Sequence, residues 1–111
     1  MGRLLTLILI MAKIRLKIKN TMKGDKIYLL IEVSSFSGEM FNKVYAYHNK
    51  KDAQNKMADL INDDKVRNPE WYDKENDNFV LEESEDTFLV YDDYNYDEKH
   101  FEMKIVEETI Q

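Results

Sequence analysis

Ile27-Tyr28-Leu29-Leu30-Ile31-Glu32-Val33 is apolar at every position but Glu32, and this run decides the fold. A strand with one wet face alternates apolar and polar residues. A run that does not alternate reads as a central strand covered on both faces. Residues 34–38, with three serines and Gly38, read as a turn. Residues 41–48 then return as a second strand, with Val44 and Ala46 on one side and Lys43, Tyr45 and Tyr47 on the other. The pair is predicted to form a hairpin. Upstream, residues 20–25 with Gly24 make a turn. Before it, Lys13-Ile14-Arg15-Leu16-Lys17-Ile18-Lys19 alternates strictly, which predicts a half-buried strand with four cations on its outer face.

Downstream, Asn49 is placed as a helix N-cap, with Asp52 three residues on as a shorter variant of the capping-box acid. Ala53, Met57, Leu60 and Ile61 follow on a 3.6-residue period, and the helix is expected to end near Asn62-Asp63-Asp64. Residues 65–78 lack periodicity and read as a loop with one helical turn after Pro69. Strands are predicted over 79–83, 87–91 and 100–110, the first two joined by the turn Glu83-Ser84-Glu85-Asp86. The expected class is α+β: an antiparallel sheet of five or six strands with one main helix packed on one face.

Lys26-Ile27-Tyr28-Leu29-Leu30, Lys43-Val44-Tyr45-Ala46-Tyr47, the Asn-capped helix with Ala53 and Leu60, and Phe79-Val80-Leu81-Glu82-Glu83 together resemble small bacterial and phage domains of unknown function. The resemblance covers roughly residues 26–92. It implies a β-hairpin feeding one helix and further strands, favours a start at Met22, and implies no activity.

A chain of 111 residues has room for a single modest core, so residues 1–111 are expected to form one domain. The 43% hydrophobic content argues against disorder, and the absence of cysteine excludes disulfides, thiolate chemistry and Cys-ligated zinc. Residues 1–12 (or 1–21) carry three readings: a buried strand, a start-site extension ahead of Met11 or Met22, or a weak signal-like segment. The apolar run from Leu4 to Ala12 is short for a membrane span, has bulky Ile10 two residues before Ala12, and is followed at once by Lys13. The expected location is therefore the cytoplasm.

Few residues are arranged for chemistry. His48 and His100 fall in no H-x-x-x-H or H-E-x-x-H pattern. Ser35-Phe36-Ser37-Gly38 lacks the leading glycine of a nucleophile elbow and precedes a strand. Asp93-Tyr94-Asn95-Tyr96-Asp97-Glu98 opens like a calcium loop but has Glu98 where glycine is needed and Lys104 at the twelfth position. Asp73-Lys74-Glu75-Asn76-Asp77-Asn78 begins similarly and reaches Ser84 at its twelfth. No phosphate-binding glycine loop is present. The expectation is a protein without catalytic residues, metal or cofactor; the alternative is a small metal-dependent or acid–base enzyme using Asp/Glu with His48 or His100.

Charge points to binding. Residues 1–26 hold seven Lys/Arg against one acid, whereas residues 63–98 hold fourteen Asp/Glu against three Lys/Arg. The acids are interleaved with Trp71, Tyr72, Phe79, Phe88, Tyr91, Tyr94 and Tyr96. Rings can anchor a protein partner while carboxylates steer a basic one. The expected partner-binding residues are Trp71, Tyr72, Asp92, Asp93, Tyr94, Tyr96, Asp97 and Glu98, on an acidic aromatic surface over 70–98. One specific version is a nucleic-acid-mimicking inhibitor from a mobile element. Lys13, Arg15, Lys17 and Lys19 form a secondary basic face, which would meet the acidic stretch of another copy in a homo-oligomer. With a sequence pI near 4.9, direct binding to nucleic acid is not expected, nor is membrane binding.

Overall fold

The structure is a computed structural model, and it describes residues 23–37, 39–94 and 99–110. The strand predicted over 13–19 and the three readings of residues 1–12 lie outside the described residues. Five strands, β1 (Lys26–Phe36), β2 (Glu39–Tyr47), β3 (Phe79–Glu83), β4 (Thr87–Asp92) and β5 (Lys99–Thr109), form one sheet in the order β2-β1-β5-β4-β3. Every neighbouring pair is antiparallel. Among the described residues one long helix, α1 (Lys50–Arg67), and a 3-10 turn (Pro69–Tyr72) accompany the sheet, an α+β arrangement.

The continuous apolar run takes the central place its composition predicts: β1 lies between β2 and β5, with Ile27, Leu29 and Leu30 all 0% exposed. It is longer than expected. Ser34, Ser35 and Phe36 do not turn, because they continue the ladder opposite Phe101, His100 and Lys99. The reversal is confined to the residues between Phe36 and Glu39, with Ser37 at φ 54. At the other end of β1, Gly24 has φ +92, a conformation that strains any residue with a Cβ, and its N–H donates to the Ile110 carbonyl at 2.8 Å.

Asn49 caps α1 as predicted: its Oδ1 accepts the Asp52 N–H at 2.8 Å. The reciprocal contact differs from a capping box, since Asp52 Oδ2 accepts from the Asn49 side-chain amide at 3.0 Å. Ala53 and Met57 lie buried on one face of the sheet, where they join Leu30, Phe88, Val90, Phe101, Met103, Ile105 and Trp71. Leu60 and Ile61 pack at the edge of this cluster. The helix does not stop at residues 62–64 but runs one turn further. Asp64 is the reason: it is buried at 6% exposure and accepts from Asn68 Nδ2 at 2.9 Å and from the Tyr72 hydroxyl. A carboxylate that reads as a solvated terminator thus ties the helix end to the following 3-10 turn, which Pro69 opens at a position where its missing N–H costs nothing.

Candidate partner-binding end of the sheet

Strand pairing decides which loops meet. Phe36 at the end of β1 is opposite Lys99 at the start of β5, so the β1–β2 hairpin tip and the β4–β5 connection share one end of the sheet. The C-terminus of α1 reaches the same end, since Asp64, Arg67 and Asn68 line a cleft with Ser34 and Phe36. The segment 73–78 is brought there as well by the bond from Asp93 N–H to the Asn78 carbonyl, 2.7 Å long.

These acidic loops are shaped by their own side chains. Asp73 Oδ1 accepts the Glu75 N–H at 3.0 Å, Asn76 Oδ1 accepts the Asn78 N–H at 3.2 Å, and Asp92 Oδ1 accepts the Tyr94 N–H at 2.9 Å. Such side-chain-to-backbone bonds two residues on fix a turn without a helix or ladder. The Asn76 amide also donates to the Glu70 carbonyl at 3.0 Å, which pins the loop to the 3-10 turn.

The predicted partner residues sort into three groups. Trp71 is 5% exposed and stacks on Phe79 with ring centroids 5.5 Å apart, so it closes the core and has almost no surface left for a partner. Asp92, 7% exposed, likewise acts inward. Tyr72 is half-buried: its ring stacks on Phe88, the Lys65 ammonium lies over it, and its hydroxyl donates to Asp64. Burial, then that hydrogen bond and the negative charge of Asp64, push the Tyr72 phenol well above its ordinary pKa. Asp93 and Tyr94 are exposed, Tyr94 at 78%. Tyr96, Asp97 and Glu98, and the basic set Lys13, Arg15, Lys17 and Lys19, lie outside the described residues.

The acidic stretch on its own misses the other half of this end. Phe36, Met40 and Phe41, at the hairpin tip, are 56%, 67% and 53% exposed, and Val66 near the end of α1 is also exposed. With Tyr94 they make up all but one of the large apolar or aromatic side chains exposed among the described residues; Leu81, in β3, is the other. By strand alternation Phe36 and Phe41 stand on the helix side of the sheet and Met40 on the opposite side. A signal was present in the sequence: Phe36, Met40 and Phe41 stand close to Ser37-Gly38, a turn signal beside which small or polar residues are the rule.

The cleft at this end has a volume of about 310 Å³ and is lined by Glu32, Asp64, Arg67 and Trp71 among others, with His100 also touching it. A histidine and two carboxylates in one concavity resemble an acid–base site, but alternation separates them. Phe101 and Met103 point into the helix-side core, so the His100 ring points to the other face, where it meets Glu102 at 3.5 Å. His48 follows β2 at the opposite end of the strands, about 25 Å away by the rise per residue. Among the described residues no three His, Asp or Glu side chains gather as metal ligands, and no helix is long and apolar enough to cross a membrane. No family profile, curated protein or solved structure matches this chain, so a functional reading rests on this geometry alone.

Proposed function

We propose that the protein acts by binding a protein partner with a basic surface, through the end of the sheet that carries the hairpin tip, segment 73–78 and Asp93-Tyr94. The observation that carries this reading is the exposure of Phe36 and Phe41 together on the helix side of the hairpin tip, with Tyr94 exposed at the same end of the sheet. Single exposed apolar residues are ordinary, but two large rings side by side at a strand end with acidic loops at the same end suit an interaction surface. Phe36, Phe41 and Tyr94 are the anchors. Asp73, Glu75, Asp77 and Asp93, all exposed, supply a field that speeds encounter with cations. The ion pairs between described residues, Lys26–Glu107, Lys50–Asp86 and His100–Glu102, engage none of these four acids. The partner set is thus Tyr94 and Asp93 with the hairpin tip added, while Trp71, Tyr72 and Asp92 hold the surface in place.

The test is affinity capture from nuclease-treated lysate of the source cells, at low and high salt, beside two variants. One is Phe36→Thr with Phe41→Thr; the other is Asp73→Asn, Asp77→Asn and Asp93→Asn. The expected result is a stoichiometric partner lost with the first variant and bound by the second at least tenfold more weakly at low salt. A partner held equally by both folded variants, or no partner in any condition, overturns the reading. Competition by duplex DNA or RNA for that partner separates a nucleic-acid-binding groove from any other basic surface.

A further inference from the structure

Glu32 interrupts the apolar run of β1, and alternation puts it on the same side as Leu30, a member of the core under α1. A half-buried carboxylate facing the covered side of a central strand needs partners, because taking a charge out of water without them is costly. Among the described residues Glu32 has one hydrogen bond: its Oε2 accepts from the Tyr45 hydroxyl at 3.2 Å, and its Oε1 accepts none. Lys43, directly opposite in the β1–β2 ladder, makes no ion pair with it. Glu32 lines instead the cleft of about 310 Å³, which Asp64, Arg67 and Asn68 border from the last turn of α1 and its cap.

We propose that this cleft receives a guanidinium group, an arginine side chain of the basic partner, bonded to Glu32 and resting on the ring of Phe36; the proposal rests on the partner-binding reading above. Three features favour a cation there. The bonds that Asp64 accepts come from the neutral Asn68 amide and Tyr72 hydroxyl, which leave its charge uncancelled. The C-terminal end of a helix adds a partial negative charge to that of the two carboxylates. Arg67, exposed and in no ion pair among the described residues, sets a single positive charge against them. The volume lies at the small end of the range for ligand sites, roughly 300–1,000 Å³, and so suits one long side chain. Arginine fits better than lysine. Its planar fork can bond a carboxylate through two parallel N–H groups while its face stacks on a ring, whereas an ammonium is a point charge on a flexible stem. Phe36, 56% exposed and lining the cleft, offers that ring.

The probe is acetyl-arginine amide, titrated into the isotope-labelled full chain and followed by backbone amide resonances. The expected result is saturable shifts centred on residues 32–36 and 64–68, with acetyl-citrulline amide, uncharged and of the same shape, binding at least tenfold more weakly. Glu32→Gln keeps an acceptor for Tyr45 and is expected to weaken the arginine probe at least fivefold. Arg67→Gln removes the opposing charge at an exposed position and is expected to tighten it at least twofold. Shifts absent or elsewhere, equal binding of the citrulline probe, or unchanged affinity in folded Glu32→Gln overturn the proposal. Weaker binding in Arg67→Gln also overturns it and assigns the cleft to an anion. The two readings fail separately. A partner captured equally by the wild type and by folded Glu32→Gln overturns the arginine site and leaves the surface standing, whereas probe binding in the cleft with no partner captured in any condition overturns the partner reading and, with it, the partner as the source of the guanidinium.

Discussion

Phe88 and Phe41 stand in strands of one sheet, yet Phe88 is 1% exposed and Phe41 is 53% exposed. Phe88 lies where α1 and the 3-10 turn lay Met57 and Trp71 over β4 and β5. Phe41 lies where β1 and β2 outrun that cover. An 18-residue helix is about 27 Å long and an 11-residue strand about 36 Å, so one helix cannot roof the whole hairpin. The 3-10 turn extends the roof towards β3 and β4 and leaves the tip bare, with the cleft of Glu32, Asp64 and Arg67 as the gap between. The same residue type is thus core at one point of the ladder and candidate anchor at another, and the difference is set by the length of the covering layer.

The largest expected effect tests the covered region. Phe88→Ala should cost about 3–5 kcal/mol of stability, read from urea unfolding, because it removes a fully buried ring and leaves a cavity. A loss below about 1 kcal/mol would mean that this core is not the one holding the fold. Next is Tyr72→Phe, which deletes the hydroxyl bonded to the buried Asp64 and should cost about 1.5–3 kcal/mol, the range for hydrogen bonds to charged groups.

Tyr72 also carries a pH signature. Its folded pKa lies above the unfolded value, so the folded state holds the proton more tightly. Its contribution is fully present below about pH 10, where Tyr ionises in the unfolded chain, and is lost as pH rises further towards the folded pKa. Above pH 10 the slope of stability against pH should be shallower in Tyr72→Phe by up to about 1.4 kcal/mol per unit, measured by unfolding between pH 10 and 11.5. Equal slopes would place the base sensitivity elsewhere, Tyr45 being the next candidate, since burial and then Glu32 raise its phenol too.

Asn49→Ala should cost about 1 kcal/mol through the lost cap, with the loss recovered largely by Asn49→Ser. The smallest effect is expected at the bare tip. Phe36→Thr and Phe41→Thr should each change stability by less than about 0.5 kcal/mol, because exposed strand positions accept a β-branched residue readily. A cost near that of Phe88→Ala would show that the tip is covered after all and would break the contrast with the core.

Much of this architecture was legible from local chemistry. The unbroken apolar run marked β1 as central, Asn49 marked the start of α1, and Ala53 and Met57 marked its inner stripe, because burial on both faces, capping and helical period each leave their own trace in neighbouring residues. The helix end was missed because Asp64 looks like any solvated acid until Asn68 and Tyr72 are folded back onto it. The exposure of the candidate surface was half legible. Asp93 and Tyr94 are exposed as their composition suggests, while Trp71 and Asp92, with the same credentials, turn inward.

The sequence by itself determined the strand and helix periods, the hairpin, the cap and the acidic bias of residues 63–98. Only the tertiary structure decided that the hairpin tip, the end of α1 and the two acidic loops share one end of the sheet, and that the His100 ring points away from the cleft beside it. The reason is physical: periodicity and capping act over a few residues of chain, whereas exposure depends on which distant segment lies on top, and that is settled by strand order and by the length of the helix.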